Sequence, residues 1–151
     1  MSEPLSKTRL RLWLRLLKTT HGIEAELRRR LRERHGTTLP RFDVLAALAR
    51  FPDGLRMSEL SDLLRVSNGN VTGIVDRLSE DGLAERIAVP GDRRATRARL
   101  TEAGRAAFAD LAAAHEAWID ELLEGVDADA AEAMTRLLKG AATQGGRAHA
   151  Q

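Results

Sequence analysis

The 151-residue sequence contains no cysteine, an absence that excludes disulfide bonds, thiol nucleophiles, thiol redox sensing and cysteine-ligated zinc. Its four histidines are dispersed, and none of them has a spacing that is typical of a metal site. We therefore expect neither a metal ion nor another cofactor. Any signal that the protein senses would have to be a bound small molecule or ion, and not a thiol switch.

Long apolar runs are missing as well. No segment approaches the roughly 20 apolar residues that a membrane-spanning helix requires. Basic residues interrupt the leucines near the N-terminus, which does not fit the order of a secretory signal. A content of 43% apolar and 30% charged residues is typical of a folded globular chain. These features predict a single cytoplasmic domain over residues 1–151.

Aromatic residues and catalytic motifs are scarce too. The sequence has no Gly-x-Ser-x-Gly elbow and no P-loop. Its acidic residues fall on predicted helix surfaces, where solvated pairing is their ordinary role. We therefore do not expect an enzyme. The five aromatic residues are Trp13, Phe42, Phe51, Phe108 and Trp118.

Apolar residues at spacings of three and four predict a long amphipathic helix near the N-terminus and two more near the C-terminus. Leu12 and Leu16 widen the apolar stripe of the first helix beyond one packing surface. Thr101 is a suitable N-cap for the first of the later helices. Wide apolar faces at both ends indicate a second subunit, so residues 5–35 and 102–143 are the predicted dimerisation helices. The Gly/Ala-rich residues 144–151 are expected to be a disordered tail.

The middle of the chain has the pattern of a helix-turn-helix. Ser58 is a good N-cap for a short helix, and the pattern breaks at residues 66–69 before a second helix over residues 70–81. The second helix would turn Val71, Val75 and Leu78 inward.

An arginine-rich β-hairpin follows this pair of helices. Residues 83–89 and 96–100 are predicted strands around a turn at residues 90–92. The segment 86–99 holds five arginines against Asp92 alone, which is a candidate phosphate-binding surface. The alternative is a solvated charged loop, but the position of the cluster directly after the helix pair favours DNA contact. The prediction is a mainly α (α+β) fold with a winged helix-turn-helix over residues 40–101.

These motifs resemble the MarR family of bacterial transcription regulators. The resemblance is carried by residues 58–60, 66–78, 82–83, 90–95 and 100–104, and the helix order extends it over nearly the whole chain. It implies a homodimer in which the terminal helices interlock and each subunit offers one winged head. A two-fold dimer predicts a pseudo-palindromic DNA site with half-sites about 10 base pairs apart. Repression relieved by a ligand is the usual mode that the resemblance implies.

The residues expected to contact DNA lie on the outward face of the second helix, at its N-terminal end and on the wing. Gly73 would let this helix sit close to the groove. Arg77 has two possible roles, a phosphate contact or an ion pair with Asp92. The resemblance implies that Asp92 braces the wing in an ion pair, that Arg94 enters the minor groove and that neighbouring arginines bind phosphates. The full set is Ser58, Ser67, Asn68, Asn70, Thr72, Gly73, Arg77, Arg93, Arg94 and Arg97.

A ligand site between the dimerisation helices and the head is a further implication of the resemblance. Residues 10–17 and 37–43 look like those of members that control the breakdown of aromatic acids, some of which respond to aromatic acyl-CoA thioesters. Basic residues beside an apolar, tryptophan-containing pocket would suit such a ligand. The alternative for Trp13 is a core or dimer-interface residue. The corresponding positions are Arg11, Trp13, Leu17, His21, Phe42 and Asp43.

Two other functions stay open at this point. A winged head can dock on another protein without binding DNA, although the three wing arginines argue against this. A metal-responsive regulator is the other alternative. The sequence has histidines that could bind a metal, but their spacing is not that of a recognisable ligand set.

Overall fold

The computed structural model describes residues 2–148, except the side chains of Arg93 and of residues 142–148. This part of the chain forms six α-helices and a three-stranded sheet, so the predicted winged helix-turn-helix class is confirmed. The elements are α1 (Leu5–His35), α2 (Leu39–Ala49), β1 (Leu55–Arg56), α3 (Met57–Leu64), α4 (Asn68–Glu80), β2 (Ala84–Val89), β3 (Asp92–Leu100), α5 (Glu102–Leu122) and α6 (Ala128–Ala148).

The chain forms two compact units, Met1–Ala117 and Trp118–Gln151. The first unit holds α1 to α4, the sheet and most of α5, and its core is made of side chains that α1, α2, α3 and α4 bury. The fully buried members of this core are Leu31, Val44, Leu45, Leu48, Leu60, Val71, Val75 and Leu78.

Several helix ends lie at residues whose chemistry favours such ends. Gly36 follows α1 in the left-handed conformation, with φ 60°, where glycine carries no steric cost. Thr38 caps α2, since its hydroxyl oxygen accepts the Arg41 backbone N–H at 3.3 Å, and Pro40 lies in the first turn. Gly82 follows α4 with φ 75°.

The prediction that Ser58 caps α3 is wrong. The helix begins at Met57, and Arg56 is its N-cap residue. Arg56 is held in an extended conformation because β1 pairs with β3, with Leu55 opposite Ala98 and Arg56 opposite Arg97. The Glu59 carboxylate accepts the Arg56 backbone N–H at 2.9 Å. A two-residue strand has too little periodicity to be seen in the sequence, so the true start of the helix was missed.

The sheet has the order β1-β3-β2, and both pairs are antiparallel. β2 and β3 form the wing. β3 begins at Asp92, four residues before the predicted start of the second strand, because the pairing continues past an irregularity at Ala88/Val89 until Val89 faces Asp92. The arginine-rich segment is therefore part of the strand and not of the turn.

The junction between the wing and α5 is a close backbone contact. The Thr101 hydroxyl donates to the Gly82 carbonyl at 2.6 Å and accepts the Gly104 N–H at 3.0 Å, which confirms Thr101 as the helix cap. The Thr101 N–H donates to the Leu83 carbonyl at 3.1 Å. A Cβ atom on Gly104 would lie 1.8 Å from that carbonyl oxygen, so only glycine fits here.

An aromatic stack joins α2 to α5 inside the first unit. The buried Phe42 ring lies 4.6 Å from the His115 ring in a stacked arrangement, and 5.8 Å from the Phe108 ring. Burial lowers the pKa of His115 below its ordinary value of 6.5, because the charged imidazolium loses hydration there. The neutral ring is therefore the form that the fold favours.

The C-terminal segment is more helical than expected. α6 continues past residue 143 to Ala148, and residues 149–151 of the predicted tail lie outside the described residues. The Asp127 carboxylate accepts the Ala130 N–H at 2.8 Å near the start of α6. No helix in the described part of the chain is both long and apolar enough to cross a bilayer.

The junction predicts a strong effect of the change Gly104→Ala. The added methyl group must displace the Leu83 backbone, so we expect the free energy of unfolding to fall by about 1–3 kcal/mol or more. Gly22→Ala is the matched control, because it lies in a helix and its Cβ would meet no atom within 4 Å. The control should gain roughly 0.5–1 kcal/mol. Urea denaturation measures both free energies of unfolding. A Gly104→Ala variant with the wild-type free energy of unfolding would contradict the contact.

The stack predicts a pH-dependent stability. The pKa of His115 is lower in the folded chain, so the unfolded chain takes up the proton first on acidification. The contribution of the neutral His115 ring to stability is present above about pH 6.5 and is lost as the pH falls towards the folded pKa. The free energy of unfolding then falls by at most about 1.4 kcal/mol per pH unit. His115→Phe keeps a ring on Phe42 and removes the titration. Denaturation between pH 7.5 and 5 should show a smaller loss for the variant, and identical slopes would refute the argument.

Candidate nucleic-acid interface

The orientation of α4 follows from its buried face. Val71, Val75 and Leu78 have no exposed surface, and the helix packs against α2, α3 and β2. This confirms the predicted inward face. Because one side of the helix is covered in this way, the opposite side must face solvent.

The N-terminal end of α4 is polar and open. The Ser67 hydroxyl accepts the Asn70 backbone N–H at 3.3 Å, so Ser67 caps the helix. The side chains of Asn68 and Asn70 are exposed, as is that of Ser58 on α3. Free backbone N–H groups and the helix dipole make such an end attractive to anions.

The middle of the helix carries the rest of the predicted surface. Thr72 and Gly73 are half-buried and Arg77 is exposed. A Cβ atom on Gly73 would meet nothing within 4 Å. The packing of the described residues therefore does not require glycine at this position.

The alternative role of Arg77 as an ion-pair partner of Asp92 is wrong. Among the described side chains the pair that joins α4 to the wing is Asp76–Arg86, with 2.7 Å between Asp76 Oδ1 and Arg86 Nη2. Asp92 turns back on its own strand, where Oδ1 accepts the Arg94 backbone N–H at 3.0 Å. Arg77 itself forms no ion pair with any of the described side chains.

The wing presents its arginines unequally. Arg94 is exposed, and the Asp92 hydrogen bond fixes the backbone that carries it. Arg97 is half-buried on β3, and its Nε atom is buried with no hydrogen-bond partner among the described residues. Arg99 is occupied by Glu85, with 2.6 Å between Nε and Oε1. The side chain of Arg93 lies outside the described part of the structure.

Two ion pairs that sequence reasoning missed hold α4 in place. Besides Asp76–Arg86, Arg41 Nη2 lies 2.7 Å from Asp81 Oδ2 and joins α2 to the end of α4. The partners are 10 and 40 positions apart in the chain. No local spacing rule links residues so far apart, so only the packing of the helices could reveal the pairs.

The six predicted ligand residues do not form one cluster. Trp13 is 56% exposed on α1, and Arg11 pairs with Glu3 near the N-terminus. Leu17 is half-buried and His21 is exposed on the same helix. Phe42, by contrast, is buried against His115.

Asp43, the sixth of these residues, lies on α2. Partial burial raises the pKa of its carboxyl above the ordinary value, and the Glu24 carboxylate adds to this effect. Within residues 2–148 no group of three or more histidine, aspartate and glutamate side chains is arranged to hold a metal ion.

Comparisons with known proteins agree on one family. Residues 35–95 match the family model described as "MarR family". The HTH-type transcriptional regulator MhqR of Bacillus subtilis is 29% identical over 135 residues, which cover 89% of this chain and 92% of that protein.

The fold is shared with solved structures of the same family. A MarR family transcriptional regulator from Silicibacter pomeroyi has 35% sequence identity and a TM-score of 0.75, with 95% of this chain and 99% of that chain covered. A mutant MarR from E. coli, crystallised with operator DNA, has 26% identity and a TM-score of 0.73, with 92% and 99% covered. The chain belongs to the MarR family of winged helix-turn-helix, DNA-binding transcriptional regulators, which are not enzymes.

Proposed function

We propose that the protein is a homodimeric repressor that binds a pseudo-palindromic operator through α4 and the wing and releases it when a small molecule binds. The observation that carries this proposal is the exposed polar face of α4 beside an exposed wing arginine. The side chains of Asn70, Arg77 and Arg94 are open to solvent. Asparagine and arginine are suited to bidentate contacts with adenine and guanine.

Each predicted DNA residue has a role in this proposal. Asn70, Thr72 and Arg77 would contact base edges or backbone oxygens, while Gly73 would let α4 approach the groove closely. Arg94 would enter the minor groove, where it reads groove width and electrostatic potential, and Asp92 would fix the wing backbone. The phosphate contacts would be Ser58, Ser67, Asn68, Arg93 and Arg97.

Exposed apolar side chains support the homodimer. Leu12 and Trp13 on α1 are 58% and 56% exposed, and Leu137 on α6 is 75% exposed. Large apolar side chains exposed on a helix surface in this way mark an interaction site, and MarR regulators are typically dimers. A two-fold dimer would place its α4 helices in successive major grooves, with half-sites about 10 base pairs apart.

The change Arg94→Ala tests the wing contact. Loss of a minor-groove arginine should weaken operator binding by about five- to a hundredfold at moderate salt, since a good arginine contact contributes about 1–3 kcal/mol. Arg94 is exposed, so the melting temperature should not change. Arg136→Ala is the control, because it removes an exposed arginine from α6, a helix that contributes none of the predicted DNA contacts. Fluorescence anisotropy titrations of duplex DNA give the affinities, and wild-type affinity for Arg94→Ala would refute the assignment.

The same titrations test the rest of the proposal. Wild-type binding should weaken steeply with salt and saturate at two chains per operator, whereas one chain per site would contradict the two-fold arrangement. A protein-interaction module would show no salt-dependent DNA binding. Expression of a reporter behind the operator should rise when Arg94→Ala replaces the wild-type chain, and a fall would mean activation.

We further propose an aromatic acid or its CoA thioester as the effector. What supports this is an open hollow of about 490 Å³ on the surface of α1, where basic and apolar side chains lie together. Basic groups beside apolar ones suit an anionic aromatic ligand. Phe42 would contribute only if its stack on His115 opened. The hollow is lined by Arg11, Leu12, Leu14, Arg15 and Lys18.

A thermal-shift series tests the effector class. Aromatic carboxylates and their CoA thioesters should raise the melting temperature, and the matching aromatic alcohols, which lack the negative charge, should not. A ligand at one hundred times its Kd stabilises by about 2.7 kcal/mol, an effect that this assay detects. Arg11→Gln should reduce the shift. If none of the acids or thioesters raises the melting temperature, the effector proposal is refuted, and the DNA-binding proposal is unaffected.

A further inference from the structure

A groove of about 670 Å³ lies between α1, α2 and α4 in the first unit. Its lining contains three arginines, one from each helix, and no carboxylate. Because three separate helices contribute, the arrangement does not follow from the solvated face of a single helix. The residues used below are Arg28, Thr38, Arg41, Asn70, Gly73 and Arg77.

Two helix N-termini converge on the same groove. Thr38 is the N-cap of α2, and Asn70 lies in the first turn of α4. The two helices have 11 and 13 residues, long enough for their dipoles to favour a negative charge at these ends. The arginine side chains and the two helix N-termini thus both favour a negatively charged group in the groove.

The acidic partners of the arginines lie outside the groove lining. Glu24 Oε2 is 3.2 Å from Arg28 Nη2, and Arg41 is held by Asp81 on the other side. The Arg28–Glu24 pair is exposed on both sides, so it contributes little to stability and leaves guanidinium N–H groups available. Arg77 forms no ion pair among the described residues.

The groove is continuous with the proposed DNA surface. Asn70, Gly73 and Arg77 are spaced three and four residues apart, so they form one stripe along α4. The open space at Gly73 lets a nucleic-acid backbone approach that stripe. DNA whose bases face α4 carries its phosphates along the edges of the helix, and the three arginines line one of these edges.

We propose that this groove binds a backbone phosphate of the operator, and that Arg28 of α1 and Arg41 of α2 are phosphate contacts added to those of α4 and the wing. The inference rests on the proposed DNA-binding function. It assigns the helix α1 a part in DNA binding besides its part in the dimer. Arg28 is the diagnostic residue because it lies on neither element of the helix-turn-helix.

The test compares Arg28→Gln with Arg29→Gln in the full-length chain. The two changes remove the same charge from adjacent positions of α1. Arg29 pairs with Glu26 and Glu33 and does not line the groove. Affinities for operator and for unrelated duplex DNA are measured by anisotropy over a range of salt concentrations, and circular dichroism melting checks that both variants fold.

We expect the affinity of Arg28→Gln to depend less steeply on salt than that of the wild type, and the affinity of Arg29→Gln to keep the wild-type dependence. Loss of one phosphate contact should make the slope of log K against log salt shallower by about 0.9 for each chain bound. At 0.1 M salt this corresponds to about a tenfold loss of affinity per chain. The loss should be equal for operator and unrelated DNA, because a phosphate carries no sequence information.

Other outcomes would overturn the inference. If Arg28→Gln has the wild-type slope, the groove holds no DNA phosphate. If Arg28→Gln instead abolishes binding of inorganic phosphate to the free protein and leaves DNA binding intact, the groove is a site for a free anion. In both cases steep salt dependence of the wild type and weak binding by Arg94→Ala would leave the proposed function standing. A wild-type chain without salt-dependent DNA binding would instead refute the function itself.

Discussion

The burial of one face of α4 is the constraint on which the interface depends. Val71, Val75 and Leu78 are completely covered, each side chain stabilising the fold by about 1.5–3 kcal/mol relative to exposure. Turning α4 about its axis would expose these three residues and bury Asn70 and Arg77. The apolar face therefore fixes, at the same time, which polar side chains meet solvent and which direction they take.

Ion pairs and the wing junction refine this orientation. Asp76–Arg86 ties α4 to β2, and Arg41–Asp81 ties it to α2. Both are partly exposed, so they add little energy, but they define the position of the helix relative to its neighbours. Gly104 allows α5 to meet the Leu83 backbone directly, which anchors the end of the wing. The exposed residues of α4 and the wing are thus carried by elements that contact α2, β2 and α5.

Much of the fold and the exposed face of α4 were predictable from local patterns. Helix periodicity identified α1, α3, α4, α5 and α6, and Thr101 marked a real helix end because capping is a matter of neighbouring residues. The errors arose where pairing across the chain decided the outcome. Arg56 caps α3 in place of Ser58 because β3 holds it extended, and Asp92 accepts a backbone N–H of its own strand in place of an ion pair with Arg77.

By itself the sequence determined most of the helices, the hairpin of the wing, the inward face of α4 and the membership of the MarR family, because each depends on residues close together in the chain. Only the tertiary structure decided which charges are already paired and which are free. It separated Arg77 from Asp92, stacked Phe42 on His115, and brought Arg28 and Arg41 to the edge of α4. Contacts between residues 10 to 73 positions apart in the chain depend on how the elements pack, and no local periodicity encodes that packing.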